Sequence, residues 1–347
     1  MCTVHRLVDE KGTILASRTM EFAADMDWKI VAVPRNLPWK SSNPAGSHGL
    51  QWENRHGFVG IGGAGRPDVI MDGMNEAGLA FSSLWFEPDM RWQDIGESEQ
   101  DRALAHTMVG SWILGSFIKV DEIKTALHEV KVFGQFSSHL QEAPPQHYIV
   151  FDAAGGCIVI EYEDGRLQIY DNPLGIMTNA PNFPWHLTNI RQYIHLTNEP
   201  SQPMKFAGRE FTSTTGAGEG MVGLPGETTS QSRFLKMVFL SKNAVSCPDT
   251  ASLLNAAQHI VNAVDIVKGS ELIFNPDGSY DYDACTQWVA FRDVTNRVYY
   301  YRTYDNPNLR KIELSRWSFE GAKVFVMPLD CLQEQIFDVT EKLITAI

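Results

Sequence analysis

Pairs of β-rich runs, separated by short loops rich in polar and small residues, recur along the chain and limit its fold more than any other feature. The pairs are 2–8 with 13–20, 148–152 with 157–162, 157–162 with 166–170, and 287–292 with 297–302. Loops this short join antiparallel neighbours, whereas parallel strands need a long crossover connection. The sequence therefore predicts sheets that are mostly antiparallel.

Apolar residues recur at helical spacing between these pairs, and they predict helices at 102–118, 121–131, 185–194, 231–242, 249–264 and 332–345. Ser230 and Thr250 are the predicted N-caps of two of these helices. Strands grouped in hairpins, with helices in separate blocks, indicate an α+β fold in which helices cover the faces of sheets.

The glycine-rich segment from Gly60 to Gly65 superficially resembles a phosphate-binding loop. A strand-like run at 67–71 follows it, where a dinucleotide-binding fold would begin a helix. The sequence therefore predicts a tight turn between two strands at this point.

Charge and chain organisation exclude several classes of protein. The 347 residues include 29 Lys plus Arg and 42 Asp plus Glu, and the net charge of −13 repels phosphate backbones, so no nucleic-acid partner is expected. No repeat or charged linker interrupts the chain, which favours one domain over residues 2–347. No apolar run reaches the roughly 20 residues of a membrane span. The start carries no leader, so the expected compartment is the cytoplasm, or the periplasm if Met1 replaces a removed leader.

The cysteines and histidines do not form a metal-binding pattern. The 5 cysteines, an odd number, are too widely spaced for a disulfide framework or a zinc knuckle; they are Cys2, Cys157, Cys247, Cys285 and Cys331. The 10 histidines include no His-x-x-x-His pair. We expect neither a metal nor another cofactor.

Cys2 is distinguished by its position. A small residue after Met1 allows methionine aminopeptidase to remove the initiator, which leaves Cys2 with a free α-amino group. Because such an amine has a pKa of about 7.7 to 8.0, part of it is neutral near physiological pH and can accept the thiol proton. One residue then supplies both nucleophile and base. The alternative is that Cys2 is an ordinary residue of an edge strand.

Arg18, in the second strand of the first hairpin, is a candidate partner for this thiol. With an odd-length loop between the strands, Arg18 lies directly opposite Cys2, and its charge favours the thiolate. A register shifted by one residue turns the guanidinium to the other face, where it is an exposed strand charge.

Several sequence blocks follow one another from end to end: Cys2-Thr3, Ser17-Arg18-Thr19-Met20-Glu21-Phe22, Asp72-Gly73-Met74-Asn75-Glu76-Ala77-Gly78-Leu79, Pro145-Gln146-His147-Tyr148, Asn172-Pro173-Leu174-Gly175-Ile176-Met177-Thr178-Asn179-Ala180-Pro181, Trp185-His186-Leu187-Thr188-Asn189, Gly223-Leu224-Pro225-Gly226-Glu227, Ser230-Gln231-Ser232-Arg233-Phe234 and Thr286-Gln287-Trp288. In this order they resemble the choloylglycine hydrolase and penicillin V acylase family of N-terminal nucleophile cysteine amidases. The resemblance implies a four-layer αββα sandwich and a homotetramer.

The resemblance also implies roles for individual residues. Cys2 is the expected nucleophile, and Arg18 and Arg233 are cations at the site. The Asn179 side chain and the Trp85 backbone N–H are the expected oxyanion donors, although Asn179 in its proline-containing turn is equally a residue that satisfies local backbone.

Glu21 departs from the family, which commonly has Asp at this position, and the same exchange occurs at Glu227. The implied role of Glu21 is to orient the Cys2 amine, and the alternative for both residues is an ordinary solvated acid. An acyl pocket is expected from Met20, Phe22, Trp85, Phe86 and Trp185, which are otherwise core residues.

The implied function is hydrolysis of a linear amide in a small acylated substrate, through a thioester on Cys2. Trp85 stands where bile salt hydrolases tend to carry Asn, which favours a penicillin V acylase or an acyl-homoserine lactone acylase over a bile salt hydrolase. An alternative of another class is a catalytically silent binding protein that kept this fold.

Overall fold

The computed structural model of the chain describes residues 1–330 apart from 23, 25, 89, 139, 214–216 and 275–276, and the side chains of 281 and 282 are not described. Cys331 and the helix predicted at 332–345 lie outside the described residues. In the described part, no helix is long and apolar enough to cross a membrane.

The chain alternates groups of strands with short groups of helices. The strands are β1 Cys2–Val8, β2 Ile14–Phe22, β3 Lys29–Val33, β4 Pro38–Ser42, β5 His48–Glu53, β6 Phe58–Gly62, β7 Ile70–Asn75, β8 Ala80–Trp85, β9 Ala103–Ala105, β10 Lys131–Phe133, β11 Gln146–Phe151, β12 Cys157–Glu163, β13 Arg166–Asp171, β14 Met204–Phe206, β15 Arg209–Phe211, β16 Glu271–Phe274, β17 Tyr280–Asp293, β18 Val298–Thr303, β19 Arg310–Glu313 and β20 Phe325–Pro328. The α-helices are α1 Val109–Ser116, α2 Val120–Leu127, α3 Phe183–Ile190, α4 Ser230–Asn243 and α5 Thr250–Asn262.

Two large sheets form the centre of the fold. The first has the strand order β1-β2-β17-β18-β19, with β16 also paired to β17. The second has the order β13-β12-β11-β8-β7-β6-β3-β20. Neighbouring strands in both sheets are antiparallel, as the short loops predicted.

Helices cover the outer faces of both sheets. Helices α4 and α5 contact β1 and β2 of the first sheet, and α1 contacts β7 and β8 of the second. Buried residues of the two sheets, such as Val4, Leu84 and Trp288, form one core between them. Phe81, on the other face of β8, belongs to a second core with Trp112 of α1. The predicted α+β fold, a four-layer αββα sandwich, is confirmed.

The predicted helix at 102–118 is wrong in its first part. Residues Ala103–Ala105 form β9, which pairs in parallel with Lys131–Phe133, and the helix begins only at Val109. A short, fully buried strand is apolar throughout, so its sequence cannot be distinguished from a buried helix by periodicity. The helix predicted at 121–131 is shorter than expected. Lys131 pairs with Ala103 in this small sheet, and α2 ends at Leu127.

The other helices predicted within the described residues lie near their predicted positions, but two N-caps are shifted by one residue. Asp249, not Thr250, caps α5, because its carboxylate accepts a hydrogen bond from Ser252 N. Thr229, not Ser230, precedes α4. The glycine-rich segment ends β6 and makes one 3₁₀ turn at Gly63–Gly65 before β7, so the predicted turn between strands is confirmed.

A buried polar cluster joins the two sheets behind the candidate site. The Asp72 carboxylate, on β7, accepts hydrogen bonds from Ser82 Oγ (2.6 Å), Tyr299 OH (2.7 Å) and Arg292 Nη1. It also lies 3.9 Å from Nη1 of Arg18, and all four charged or hydroxyl partners are buried. One carboxylate therefore serves two buried cations.

We predict that Asp72→Asn lowers the free energy of unfolding by about 3 to 5 kcal/mol, since it leaves the Arg18 and Arg292 charges buried without their anion. Urea unfolding measures this loss. The control is Asp94→Asn, which breaks an exposed ion pair with Arg91 and should cost less than about 1 kcal/mol. Equal effects of the two substitutions would show that the Asp72 cluster does not hold the sheets together.

Candidate active site

Cys2 is the first residue of β1, and its side chain is 3% exposed. Its Sγ atom lies 3.4 Å from Arg18 Nη2 and 3.7 Å from Met20 Sδ. The guanidinium of Arg18 is held in place by the Met71 carbonyl, which accepts from Nη1, and it lies 4.8 Å from the ring centroid of Trp288. Arg18 therefore places a fixed, buried positive charge beside the Cys2 thiol.

The register that brings Arg18 to Cys2 differs from both registers considered from the sequence. Cys2 pairs with Met20, and Arg18 lies opposite Val4, two residues away. A shift of two residues restores the same face of the sheet, whereas a shift of one would have reversed it. Arg18 therefore contacts Cys2 diagonally, on the face that looks toward the second sheet.

Arg233, from α4, approaches the opposite face of the same strand end. It is fully buried, and its Nη1 atom donates to Cys2 O (2.6 Å) and to Thr3 Oγ1 (2.6 Å). Its Nη2 atom donates to Asn179 Oδ1 at 2.6 Å. Arg233 thus fixes the Cys2 backbone and the Asn179 side chain, and it is not among the residues that line the cavity described below.

Glu21 lies on the Arg233 side of β2 and is completely buried. Its Oε1 atom accepts a hydrogen bond from Thr286 Oγ1 at 2.9 Å. Burial raises the pKa of the Glu21 carboxyl, and the positive charge of Arg233 opposes this rise. Glu21 is therefore not a solvated acid, whereas Glu227 is exposed and bonds Thr229 and Ser232 at the start of α4.

The Met1–Cys2 peptide is bracketed by the backbone of Glu21. The Met1 amine donates to Glu21 O at 2.7 Å, and Glu21 N donates to Met1 O at 3.1 Å. Burial lowers the pKa of this amine. While Met1 is present, the nitrogen of Cys2 is an amide and cannot act as a base.

Asn179 connects the Cys2 nitrogen with strand β8. Its Oδ1 atom accepts from Cys2 N at 3.0 Å, and its Nδ2 atom donates to Trp85 O at 2.7 Å. The partners fix the orientation of the amide, because Oδ1 faces two donors and Nδ2 faces an acceptor. One hydrogen of Nδ2 is left for another acceptor.

The backbone N–H of Trp85 points toward this same side of β8. In an antiparallel strand the N–H and C=O of one residue share an edge, and the next residue uses the other edge. Phe86 N donates to Pro145 O at 2.9 Å on the β11 side, whereas Trp85 O accepts from Asn179. The Trp85 N–H therefore faces away from β11, toward Asn179.

A cavity of about 530 Å³ lies beside Cys2, a size typical of small-molecule sites. Apolar and aromatic side chains dominate its wall, which also includes polar residues. The lining consists of Met1, Cys2, Met20, Phe22, Met26, Asp27, Trp28, Gly63, Ala64, Arg66, Val69, Ile70, Met71, Trp85, His106, Thr107, Gln135, Phe136, Ser137, Ser138, Leu140, Pro144, Gln146 and Tyr148.

Three of the five aromatic or apolar residues expected at the pocket, Met20, Phe22 and Trp85, line this cavity. Phe86 is fully buried and stacks on His147 instead, with 4.4 Å between ring centroids, because side chains of adjacent strand residues point to opposite faces. Trp185 is 41% exposed on α3 and does not reach the cavity.

Thr286 contacts Glu21, but sequence reasoning gave it no role. It follows Cys285 in β17 and precedes a register shift between Thr286 and Trp288, a β-bulge that no sequence pattern marked. The available signal was the block Thr286-Gln287-Trp288, to which Thr286 belongs. The loop after β2, to which no sequence pattern assigned a role, supplies Met26 and Trp28 to the cavity.

The other described cysteines do not share the environment of Cys2. Burial raises the pKa of the thiols of Cys157, Cys247 and Cys285. Among the described residues, no group of three or more His, Cys, Asp or Glu side chains is placed to hold a metal ion.

The similarity to known proteins extends over nearly the whole chain. A family model described as linear amide C–N hydrolases, choloylglycine hydrolase family, matches residues 2–335. A bile salt hydrolase/transferase of Clostridium perfringens (strain 13 / Type A) is 28% identical over 327 residues, which are 93% of this chain and 95% of that protein.

Two solved structures share the architecture. A mutant conjugated bile acid hydrolase from Clostridium perfringens, with alanine in place of a cysteine, superposes with a TM-score of 0.83 at 26% identity, over 98% of this chain and 100% of that one. Penicillin V acylase from Agrobacterium tumefaciens shares the fold with a TM-score of 0.75 at 20% identity, over 96% and 94% of the two chains. The chain therefore belongs to the choloylglycine hydrolase family of linear amide C–N hydrolases, as the resemblance of its sequence blocks indicated.

Proposed function

We propose that this amidase uses Cys2, freed of Met1, to form a thioester with the acyl part of a small linear amide. The observation that carries the proposal is the placement of one residue. Cys2 Sγ contacts the Arg18 guanidinium at the cavity wall, while Cys2 N is held by Asn179 Oδ1. Removal of Met1 converts that held nitrogen into an amine with a lone pair.

In the first step, the Cys2 amine accepts the thiol proton and Sγ attacks the substrate carbonyl carbon. The C–S bond forms as the carbonyl π electrons move to oxygen. The Glu21 carboxylate, fixed by Thr286, stabilises the ammonium that results. Arg18 stabilises the thiolate before attack.

The oxyanion of the tetrahedral intermediate accepts the second Asn179 Nδ2 hydrogen and the Trp85 backbone N–H. The bonds of Asn179 to Cys2 N and to Trp85 O support this pair of donors. A preorganised donor of this kind contributes roughly 10² to 10³ in rate. When the intermediate collapses, the C–N bond breaks and the Cys2 ammonium protonates the leaving amine. The Cys2 amine then takes a proton from water, and the water oxygen attacks the thioester carbonyl carbon. The C–S bond breaks, which releases the carboxylic acid and restores the Cys2 thiol.

The cavity supports an apolar acyl group, because its wall is mostly apolar and the nucleophile lies at its edge. The relatives are named for bile salts and for penicillin V. Trp85 and Phe22, whose ring centroids lie 6.0 Å apart at the cavity, favour a penicillin V acylase-like substrate with a flat acyl group. Bile salts and acyl-homoserine lactones are the alternatives. Hydrolysis rates on penicillin V, glycocholate and long-chain acyl-homoserine lactones separate them, and we expect penicillin V to be cleaved fastest.

We further infer that residues 2–347 form one domain, because the two large sheets share one core.

We also infer that copies of the chain assemble as a homotetramer. The hairpin β14–β15 pairs with no other described strand, and a lone hairpin is marginally stable in water. Its apolar side chains are exposed: Met204 by 60%, Phe206 by 70% and Phe211 by 50%. A second copy that covers the hairpin removes this apolar surface from water.

The proposed nucleophile can be tested by substitution. Cys2→Ala should abolish turnover while the circular dichroism spectrum stays that of wild type, and Cys2→Ser should be strongly impaired because a hydroxyl is a poorer nucleophile near neutral pH. The matched control is Cys157→Ala, a buried cysteine in another strand. Turnover by Cys2→Ala at the wild-type rate would disprove the proposal.

A second measurement on the same protein separates an enzyme from a silent binding protein. Iodoacetamide should label one cysteine per chain at neutral pH, and an acylated amide substrate should protect it. Labelling without any turnover on the substrate panel would favour the binding protein.

Another prediction concerns Glu21. Glu21→Gln keeps the size of the side chain but loses its charge, so kcat/KM should fall at least about tenfold, or about 1.4 kcal/mol of barrier. Glu21→Asp should cost less. The control is Glu10→Gln, an exposed acid in the loop of the same hairpin. If Glu21→Gln matched wild type across the pH profile, another group would orient the amine.

The pKa of Glu21 gives this prediction a stability counterpart. Burial raises that pKa above its unfolded value, so the folded protein holds this proton more tightly than the unfolded chain does. The stabilisation is present at low pH and is lost as the pH rises through the folded pKa. Glu21→Gln should therefore gain stability relative to wild type as the pH is raised from 4 to 8, as denaturant unfolding can measure.

A further prediction concerns assembly. Phe206→Asp should yield particles smaller than the wild-type tetramer in light scattering after size exclusion, because a charge is then placed on the apolar hairpin. Val267→Asp, which replaces another exposed apolar residue in the loop after α5, should leave the tetramer intact. A wild-type protein that is monomeric at all concentrations would exclude this interface.

A further inference from the structure

Asn179 is held by buried groups that take no part in the proposed reaction. His147, on β11, contacts the residue before it: the Nε2 atom lies 3.0 Å from Thr178 O. His186 Nε2 lies 2.9 Å from Asn179 O, and Asn179 N donates to Ser230 Oγ at 2.9 Å. The backbone on either side of the oxyanion donor is thus fixed from three elements.

His147 is itself fixed more firmly than an ordinary core histidine. Its Nδ1 atom lies 3.0 Å from Glu161 Oε1, and its ring stacks on Phe86 with an interplanar angle of 3°. Glu161 is oriented in turn by Phe183 N, which donates to both carboxylate oxygens. The His147 ring is 1% exposed and the Glu161 side chain is 0% exposed.

The direction of the bond to Thr178 follows from the chemistry of its atoms. A carbonyl oxygen only accepts, so the proton lies on Nε2 of His147 and is donated to Thr178 O. Without this donor the buried Thr178 carbonyl loses a hydrogen bond, at a cost of about 1 to 3 kcal/mol. Movement of the backbone reduces this cost by bringing the carbonyl to another donor. The backbone that moves carries Asn179.

We propose that His147, oriented by Glu161, is a positioning residue that sets the place of the Asn179 amide in the oxyanion site. The inference rests on the proposed function, because it gives Asn179 the role of oxyanion donor. His147 does not touch substrate in this account: it is not among the residues that line the cavity. Its effect on the reaction passes through Thr178 and Asn179.

Two substitutions of His147 separate hydrogen bonding from packing. His147→Gln keeps a donor near the Nε2 position but loses the ring that stacks on Phe86. His147→Phe keeps a flat ring but has no donor. The proposal predicts that kcat falls at least about tenfold in His147→Phe and falls less in His147→Gln. Loss of an oxyanion donor costs roughly 10² to 10³ in rate, and a displaced Asn179 loses part of that contribution. If the ring mattered only for packing, the order of the two variants would be reversed.

Alkylation of Cys2 by iodoacetamide supplies the second readout, because displacement of iodide forms no oxyanion. The alkylation rate should fall less than kcat in both variants, since alkylation needs no oxyanion donor, although Asn179 Oδ1 also holds Cys2 N. His5→Phe is the matched control, a buried histidine in β1 whose side chain points to the other face from Cys2. It should leave kcat within about twofold. A His147→Phe enzyme with wild-type kcat would overturn the proposal without affecting the role of Cys2, which the Cys2→Ala variant tests separately.

The wild-type protein provides a test that does not depend on the folding of any variant. In ¹⁵N-histidine-labelled protein, the Nε2–H proton of His147 should give a signal that exchanges slowly with water. Its assignment follows, in the wild-type protein, from through-space contacts with Phe86, on which the His147 ring stacks. An Nε2 atom without a proton would overturn the proposal, because no donor would then hold Thr178.

Discussion

The contact between the Cys2 thiol and the buried Arg18 guanidinium is the interaction on which the rest of the site depends. It joins the end of β1 to the interior between the two sheets, where Asp72 supplies the compensating charge. The backbone of the same cysteine is held from the opposite face by Arg233. Because Cys2 begins the strand, no other strand residue precedes its nitrogen. Its side chain points toward one face of the sheet, and its nitrogen donates to Asn179 Oδ1.

The site concentrates buried charges that a stable core would avoid. Arg18, Arg233 and Glu21 are all fully buried. Burial lowers the pKa of Arg233 and raises that of Glu21, so both groups lie in surroundings that disfavour their charged forms. Placing such groups in fixed positions costs stability, and it gives electrostatic interactions that need no rearrangement during acyl transfer. The helices and sheets around them contribute the apolar burial that offsets this cost.

Local patterns predicted what local physics determines. The hairpin signals predicted the antiparallel sheets, because short loops leave few alternatives, and the position of Cys2 identified the candidate nucleophile. The register of the first hairpin was not predictable, since it depends on the conformation of a loop that several turn types fit. Phe86 was assigned to the pocket with Trp85, although strand alternation separates their side chains. Thr286 was part of a block that carried the resemblance, but its contact with Glu21 was missed because no local pattern predicts a contact between residues 265 positions apart.

The claim that Cys2 carries the acyl group after Met1 is lost is tested most directly by mass spectrometry of acid-quenched enzyme during turnover of penicillin V. The account predicts a protein lighter by one methionine residue, with a fraction heavier by the phenoxyacetyl group, and an acyl adduct confined to the peptide that begins at Cys2. Hydroxylamine should remove that adduct, as it does a thioester. An active enzyme that retains Met1, or an adduct on Cys157 or another cysteine in place of Cys2, would contradict the account.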